Sequence, residues 1–203
     1  MIPTVTEIEK HMEEHGQHSV RINTDGTVEL RVGLDTPTQV FFYEHDFYVF
    51  SNFSAFSLKN EHGNFPTSEH AYHYAKFLTD KPNTQLLWDI RHAPSAHEAF
   101  KIAERHKDER RPDWDDVKAD VMFDILRTKA AQHEYVRRKL FATGDRELIE
   151  NSWRDDYWGW GPHCDGQNML GLLWMRVRNE MRSVLEAAPD PFIDAAERAA
   201  LGL

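Results

Sequence analysis

Thr67-Ser-Glu-His-Ala-Tyr-His-Tyr-Ala-Lys-Phe77 is the stretch at which the chain changes its period. Upstream of it, apolar residues alternate; from Thr67 onward they recur at helical spacing. Pro66 followed by Thr67 or Ser68 is a helix start, and the helix is expected to run to about Leu78. Glu69, Tyr72, His73 and Lys76 fall at i, i+3, i+4 and i+7 and share one face, while Ala71, Ala75 and Leu78 line another. A carboxylate, a phenol, an imidazole and an amine on one face are acid–base equipment. The alternative is an exposed polar face with Glu69 placed near the positive helix end.

Reading back from Thr67, Asn60 to Asn64 is a turn, and Tyr48 to Phe56 is aromatic-rich and broken by Asn and Ser, which predicts a strand followed by a loop. Six Phe and two Tyr fall between Phe41 and Phe56; most belong to a core, and those near Ser51-Asn52-Phe53 are candidates to line a pocket. Val40-Phe-Phe-Tyr43 predicts a strand. Val20 to Val32 alternates around Asp25-Gly26, the dipeptide of a tight hairpin, and Glu7 to His18 predicts a short polar helix.

Reading forward, Thr84 to Arg91 and Ala96 to Arg105 predict two short helices parted at Pro94. Asp113, after Pro112, is the expected N-cap of a long helix carrying Val117, Val121, Ile125 and Leu126. Further helices are expected over about Glu134 to Ala142 and Glu147 to Ser152. Trp158-Gly-Trp-Gly-Pro-His-Cys-Asp-Gly-Gln-Asn168 is a glycine-rich loop opening a final amphipathic helix, whose stripe is Leu170, Leu173, Trp174, Val177, Met181, Val184 and Leu185; Pro189 and Pro191 end it. The expected fold class is α+β: a single compact domain, mostly helical, with a small N-terminal antiparallel sheet.

That glycine loop is the second constellation. Glycines 159, 161, 166 and 171 let backbone approach a ligand, the following helix start suits a phosphate, and Trp158 and Trp160 offer faces for a base beside Asp155 and Asp156. The competing reading is a structural loop whose tryptophans plug the core. Twelve histidines raise a metal, but neither His11, His15 and His18 nor Glu69, His70 and His73 match a known zinc spacing, so no metal is expected. Cys164 beside His163 is not a nucleophile–base pair, because adjacent side chains point apart.

The 203 residues suit one domain, and 40% hydrophobic with 29% charged residues is a globular balance. No apolar run reaches bilayer length, Met1 to Lys10 has no apolar signal region, and a single cysteine favours a reducing compartment; the expectation is a cytoplasmic protein. A net charge of −10 argues against a broad grip on nucleic acid. It is spread unevenly, at −7 for residues 1–100, +2 for 101–146 and −5 for 147–203. Arg105, Lys107, Arg110 and Arg111 in the middle third suit either a small phosphate-bearing ligand or a solvated surface.

Three ordered blocks together resemble the NADAR (YbiA-like) family: Phe50-Ser-Asn-Phe53 with Phe65-Pro-Thr-Ser-Glu-His70 through Lys76-Phe77; Asp113-Trp-Asp-Asp-Val-Lys118 through Val121-Met122; and Thr143-Gly-Asp through Leu148-Ile-Glu150, Asp155, Tyr157-Trp-Gly159, Gly166-Gln-Asn168, Leu170-Gly-Leu-Leu173 and Met175-Arg-Val-Arg178. The chain departs from the family pattern at His73, Ala75 and Ala130, and lacks the Gly-Arg before the Trp114 block, where Arg105 stands nearest. The resemblance divides the chain into an extension with a hairpin over 1–40, a domain over 41–187 and a tail over 188–203.

The resemblance implies an N-glycosidase without cofactor, cleaving ribose C1 from an exocyclic amino group. Its substrate would be a ribosylamino pyrimidine phosphate of riboflavin synthesis, or guanine carrying ADP-ribose, free or in single-stranded nucleic acid. Antitoxin members add a toxin of an ADP-ribosylating system as partner; no membrane is implied. The positions matching the family pattern are Glu69, Lys76, Trp114, Asp155, Trp158, Gly159 and Asn168. Taken with the reading of the residues themselves, Glu69, Lys76 and Asp155 are the catalytic candidates, and Asn52, Phe53, His73, Arg105, Arg111, Trp114, Trp158, Gly159 and Asn168 the substrate-binding ones. Glu69 would transfer a proton or steady charge at C1, Lys76 would bind the sugar or form an imine, and Asp155 would hold ribose hydroxyls or water. Trp158 would stack on the base, and the glycine loop with Arg105 or Arg111 would hold phosphate. The rival class is a non-catalytic ADP-ribose or NAD reader using the same pocket.

Overall fold

The computed structural model describes residues 20–22, 25–30, 35–43, 45–152 and 154–187, together with 4, 6–8 and 10. The helix expected over Glu7 to His18 lies largely outside the described residues, as do His11, His15, His18 and the tail after 187.

Asp25-Gly26 makes the hairpin its residues dictate. Gly26 takes φ +80, Asp25 Oδ1 accepts the Thr27 N–H at 2.9 Å, and β1 (Val20–Ile22) pairs antiparallel with β2 (Val28–Leu30). β3 (Gln39–Phe42) is the expected strand, but its partner is distant: it pairs in parallel with β6 (Glu147–Glu150), Val40 facing Leu148 and Phe41 facing Ile149. The segment Glu147 to Ser152, expected as a short helix, is therefore a strand. Its local composition suits a helix, but consecutive Leu148 and Ile149 are both buried, which a strand covered on both faces allows.

Tyr48 to Phe56 also departs from expectation. The chain forms a 3-10 helix over His45–Phe50 and then a turn in which Ser54 Oγ donates to the Val49 or Ser51 carbonyl. β4 (Leu58–Asn60) and β5 (Gly63–Phe65) close an antiparallel hairpin around the expected turn.

The helices follow their caps. Thr67, Asn83 and Ser95 each accept a first-turn N–H and open α1 (Ser68–Ala75), α2 (Thr84–Arg91) and α3 (Ala96–Arg105). α4 (Trp114–Gln132) starts after Asp113, whose carboxylate pairs with Arg111 instead of capping. Then come α5 (Glu134–Ala142), ended by Gly144 at φ +58, and α6 (Met169–Ala187).

α6 packs on α4 and β6, and α1 packs on α3 and α4. The main core gathers Phe42, Phe50, Trp114, Leu126, Trp174 and Val177; Trp174 Nε1 donates to the Phe50 carbonyl at 2.8 Å. A second cluster, with Phe77, Leu87, Ile90 and Ala99, holds α2 and α3 together. The fold class is α+β, helices predominating over three two-stranded pairings among the described residues. Among the described residues no helix is long and apolar enough to cross a membrane.

Candidate active site

A cleft of about 300 Å³ opens where the N-terminal half of α1, the end of β6 and the two loops 51–53 and 151–158 meet. Glu69, Asp155 and Trp158 all line it, so the acid of the period-changing helix and the tryptophan–glycine segment share one cavity. Asn52 and Phe53 line it too. The Asn52 carbonyl receives the Glu69 N–H at 3.1 Å, tying that loop to the start of α1.

Glu69 is buried, and its Oε1 lies 2.7 Å from His73 Nε2 one turn along the helix. His73 is buried behind it against Phe100 and is not among the residues that line the cleft. Asp155 Oδ1 accepts two backbone N–H groups, from Tyr157 at 2.9 Å and Trp158 at 2.7 Å, which fixes the carboxylate and turns the Trp158 ring edge-on to Tyr72. Tyr72 also lines the cleft; burial, then the nearby Glu69 charge, pushes its phenol well above the ordinary range. Trp114 is fully buried beside Tyr72, ring centroids 4.9 Å apart, and supports that wall from within the core.

Lys76 is set apart. It lines an adjoining hollow with Lys107 and Arg110, its ammonium 5.1 Å from the centre of the Tyr72 ring and 4.0 Å from Glu104. Burial lowers its pKa, with Glu69 and Glu104 opposing. Arg111 spends its guanidinium on Asp113 at 2.6 and 2.7 Å, and its N–H on the Lys76 carbonyl; Arg105 is exposed at the end of α3.

The glycine loop is built from its own hydrogen bonds. The amides of Gly159, Gly161, Gly166, Gln167 and Asn168 go to carbonyls of residues 152–160, and those of Met169 and Leu170 to Tyr157 and Trp158, so these groups are not available to a phosphate. Asn168, at φ 51, clamps β6 instead: it donates to the Leu148 carbonyl at 2.8 Å and accepts the Glu150 N–H at 2.9 Å. Gly159 permits close approach, since a Cβ there would sit 2.6 Å from Ser152 Cβ.

The residue that sequence reasoning left without a role is Glu150. It ends β6, lines the cleft, and burial followed by the charges of Asp155 and Glu69 lifts its carboxyl to about 8. The available signal was an acid directly after the apolar pair Leu148-Ile149, a place that faces a cavity only if the segment is a strand.

The NADAR domain profile matches residues 41–182, and the chain belongs to that family. It is 35% identical to the N-glycosidase YbiA of Escherichia coli over 147 residues, 72% of this chain and 89% of that protein. It is 34% identical to the riboflavin biosynthesis protein VVA0006 of Vibrio vulnificus, over 78% of this chain and 42% of that one, and 34% identical to the N-glycosidase Npun_R5314 of Nostoc punctiforme, over 72% and 94%. The NMR structure of E. coli YbiA superposes with a TM-score of 0.68 at 32% identity, covering 79% of this chain and 94% of that one.

Proposed function

We propose that this chain hydrolyses the bond between ribose C1 and the exocyclic amino nitrogen of a pyrimidine in a ribosylamino pyrimidine phosphate. Family membership and the N-glycosidases among its relatives make it a hydrolase of N-glycosyl bonds. The observation that carries the reading is the convergence of Glu69, Asp155 and Trp158 on one cleft.

The chemistry follows from those groups. As C1–N breaks, positive charge grows on the sugar, and a carboxylate beside C1 stabilises it. Glu69 is that carboxylate, oriented by His73. Asp155 holds a ribose hydroxyl or the incoming water, and Trp158 meets the base. No Lys or Arg lines the cleft among the described residues, so the phosphate end lies outside it, on the side of Lys76, Lys107 and Arg110. A volume of about 300 Å³ is at the small end of ligand sites, which suits one ribosylated pyrimidine better than a guanine with a whole ADP-ribose. The riboflavin-synthesis name of the Vibrio relative supports the same choice.

The test is a substrate panel with chromatography for freed base: ribosylamino pyrimidine phosphates against ADP-ribosylated guanine, free and in single-stranded DNA. Release of aminopyrimidine at the higher kcat/KM is expected. Faster release from ADP-ribosylated guanine would reassign the substrate, and binding of ADP-ribose with no turnover of any substrate would make the protein a reader.

A further inference from the structure

Three carboxyl groups share the cleft, and they differ in what they touch. Glu69 lies against His73, and Asp155 takes two backbone N–H groups. The Glu150 carboxyl meets no hydrogen-bond donor among the described residues, although its own backbone is pinned on both sides, the N–H by Asn168 Oδ1 at 2.9 Å and the carbonyl by the Trp160 N–H at 2.9 Å. The backbone of the strand end is held at both its N–H and its carbonyl, while the acid it presents to the cavity has no hydrogen-bond partner among the described residues. A second group is left open in the same place: Asn52, more than nine-tenths buried, lines the cleft with its amide oxygen unpartnered. An orphaned buried acceptor is costly, and that cost is recovered when a ligand brings a donor such as an amino or hydroxyl group.

From this geometry we infer that Glu150 is the catalytic acid, giving its proton to the exocyclic nitrogen that leaves ribose C1. The assignment rests on the N-glycosidase reading above and adds the source of the leaving group's proton. As C1–N breaks, the bonding pair stays with nitrogen and the Glu150 proton joins it, so the base departs as a neutral amine. Water then adds its oxygen to C1 and returns a proton to the Glu150 carboxylate, which restores the starting state with one water consumed.

Protonating Glu150 breaks no hydrogen bond, whereas a proton on the accepting oxygen of Asp155 would displace two backbone donors. Burial and the two neighbouring carboxylates keep the Glu150 acid form present up to about pH 8. Carboxyls whose surroundings differ in this way divide into acid and electrostatic partner. The other titratable groups around the cavity are Asp155 from the loop, Glu69 and Tyr72 from α1, and Tyr43 and Tyr48. Burial takes the Tyr72 phenol well above its ordinary range and brings Lys129, behind the cavity, down to about 7, so it is the dependence of the basic limb on the leaving group that identifies Glu150.

The test compares the parent with Glu150→Gln on two leaving groups, an aminopyrimidine that needs a proton and a 4-nitrophenyl riboside that does not. The variant is expected to lose about 10²- to 10⁴-fold in kcat on the aminopyrimidine with little change in KM, and less than tenfold on the nitrophenyl riboside. The parent should lose kcat as pH rises through about 8 on the first substrate and not on the second, a readout that stands even if the variant folds poorly. An active parent matched within threefold by E150Q, or the same basic limb with both leaving groups, would overturn the assignment and leave the N-glycosidase reading intact. A parent inert on every ribosylated substrate would remove that reading and the assignment with it.

Discussion

The cleft and the hollow beside it share a wall yet carry opposite equipment. The cleft has Glu69, Glu150 and Asp155 and no lysine or arginine among the described lining residues; the hollow has Lys76, Lys107 and Arg110 beside Glu104 and Asp108. Tyr72 lines the first and carries the Lys76 ammonium over its ring, and Trp114 backs both. The difference teaches that one helix face, read as a single unit in sequence, serves two environments. A helix turn is about 5.4 Å, so residues at i and i+7 stand two turns apart, far enough for the cleft to end at Tyr72. Acid near C1 and cation near phosphate is the division that a ribosylated nucleotide demands.

Glu69→Gln breaks the acidic side most directly. The amide cannot stabilise a developing cation as a carboxylate does, and kcat/KM should fall about 10³-fold with an unchanged unfolding midpoint. A variant as fast as the parent on a ribosylamino substrate would remove Glu69 from the chemistry. Asp155→Asn is expected to cost about 10²-fold, because the amide oxygen still accepts from Tyr157 and Trp158 and the turn survives. If the loss in D155N came with a shifted near-UV circular dichroism spectrum, Asp155 would be shaping Trp158 and not meeting substrate. Lys76→Met probes the other side: about a tenfold rise in KM, near 1.4 kcal/mol, with kcat kept within threefold. A kcat loss matching that of E69Q, or a sugar adduct on Lys76 after borohydride trapping, would show the amine acting at C1 and would merge the two compartments.

Legibility in the sequence followed the range of the interaction that decides each element. Helices α1 to α3 and α5 were readable within a residue or a few, because Thr67, Asn83, Ser95 and Gly144 are local signals. The Asp25-Gly26 hairpin was readable for the same reason. β6 was not: its partner β3 lies 108 residues earlier, and Glu147-Leu-Ile-Glu150 has nothing in its own composition that excludes a helix. Glu150 is illegible for the same reason, since its carboxyl reaches the cleft from the end of that strand. The glycine loop misled in another way. Its glycines do mark close approaches, that of Gly159 to Ser152 and that of Gly171 to the Leu148 carbonyl. Spacing says that backbone comes close to something; it does not say to what.

The finest test of the acid–cation division lies behind the cleft, at Lys129. Its ammonium is fully buried with no carboxylate beside it among the described residues, donating to the Ser51 carbonyl at 3.0 Å and Ser54 Oγ at 2.7 Å, and burial lowers it to about 7. It therefore braces the loop that delivers Asn52 and Phe53 to the acidic cavity without placing a charge in that cavity. Lys129→Met leaves two acceptors unpaired but removes a costly desolvated cation, so the two effects largely cancel and the net loss should be about 1 kcal/mol. The sign with pH is fixed by linkage. Between about 7 and the ordinary lysine value of 10.5 the unfolded chain holds a proton that the folded chain has released, so the parent's stability rises with pH across that window. Glu150 works in the opposite direction, its contribution being present below about 4.5 and lost as pH rises through about 8. Lys76, which burial also lowers, adds to the rise above pH 8, so the difference between the two proteins reads Lys129: between pH 8.5 and 10 the urea midpoint of the parent should rise more than that of Lys129→Met. Parallel curves for the two proteins would mean that water reaches the ammonium, and that the loop carrying Asn52 is held by something other than this buried amine.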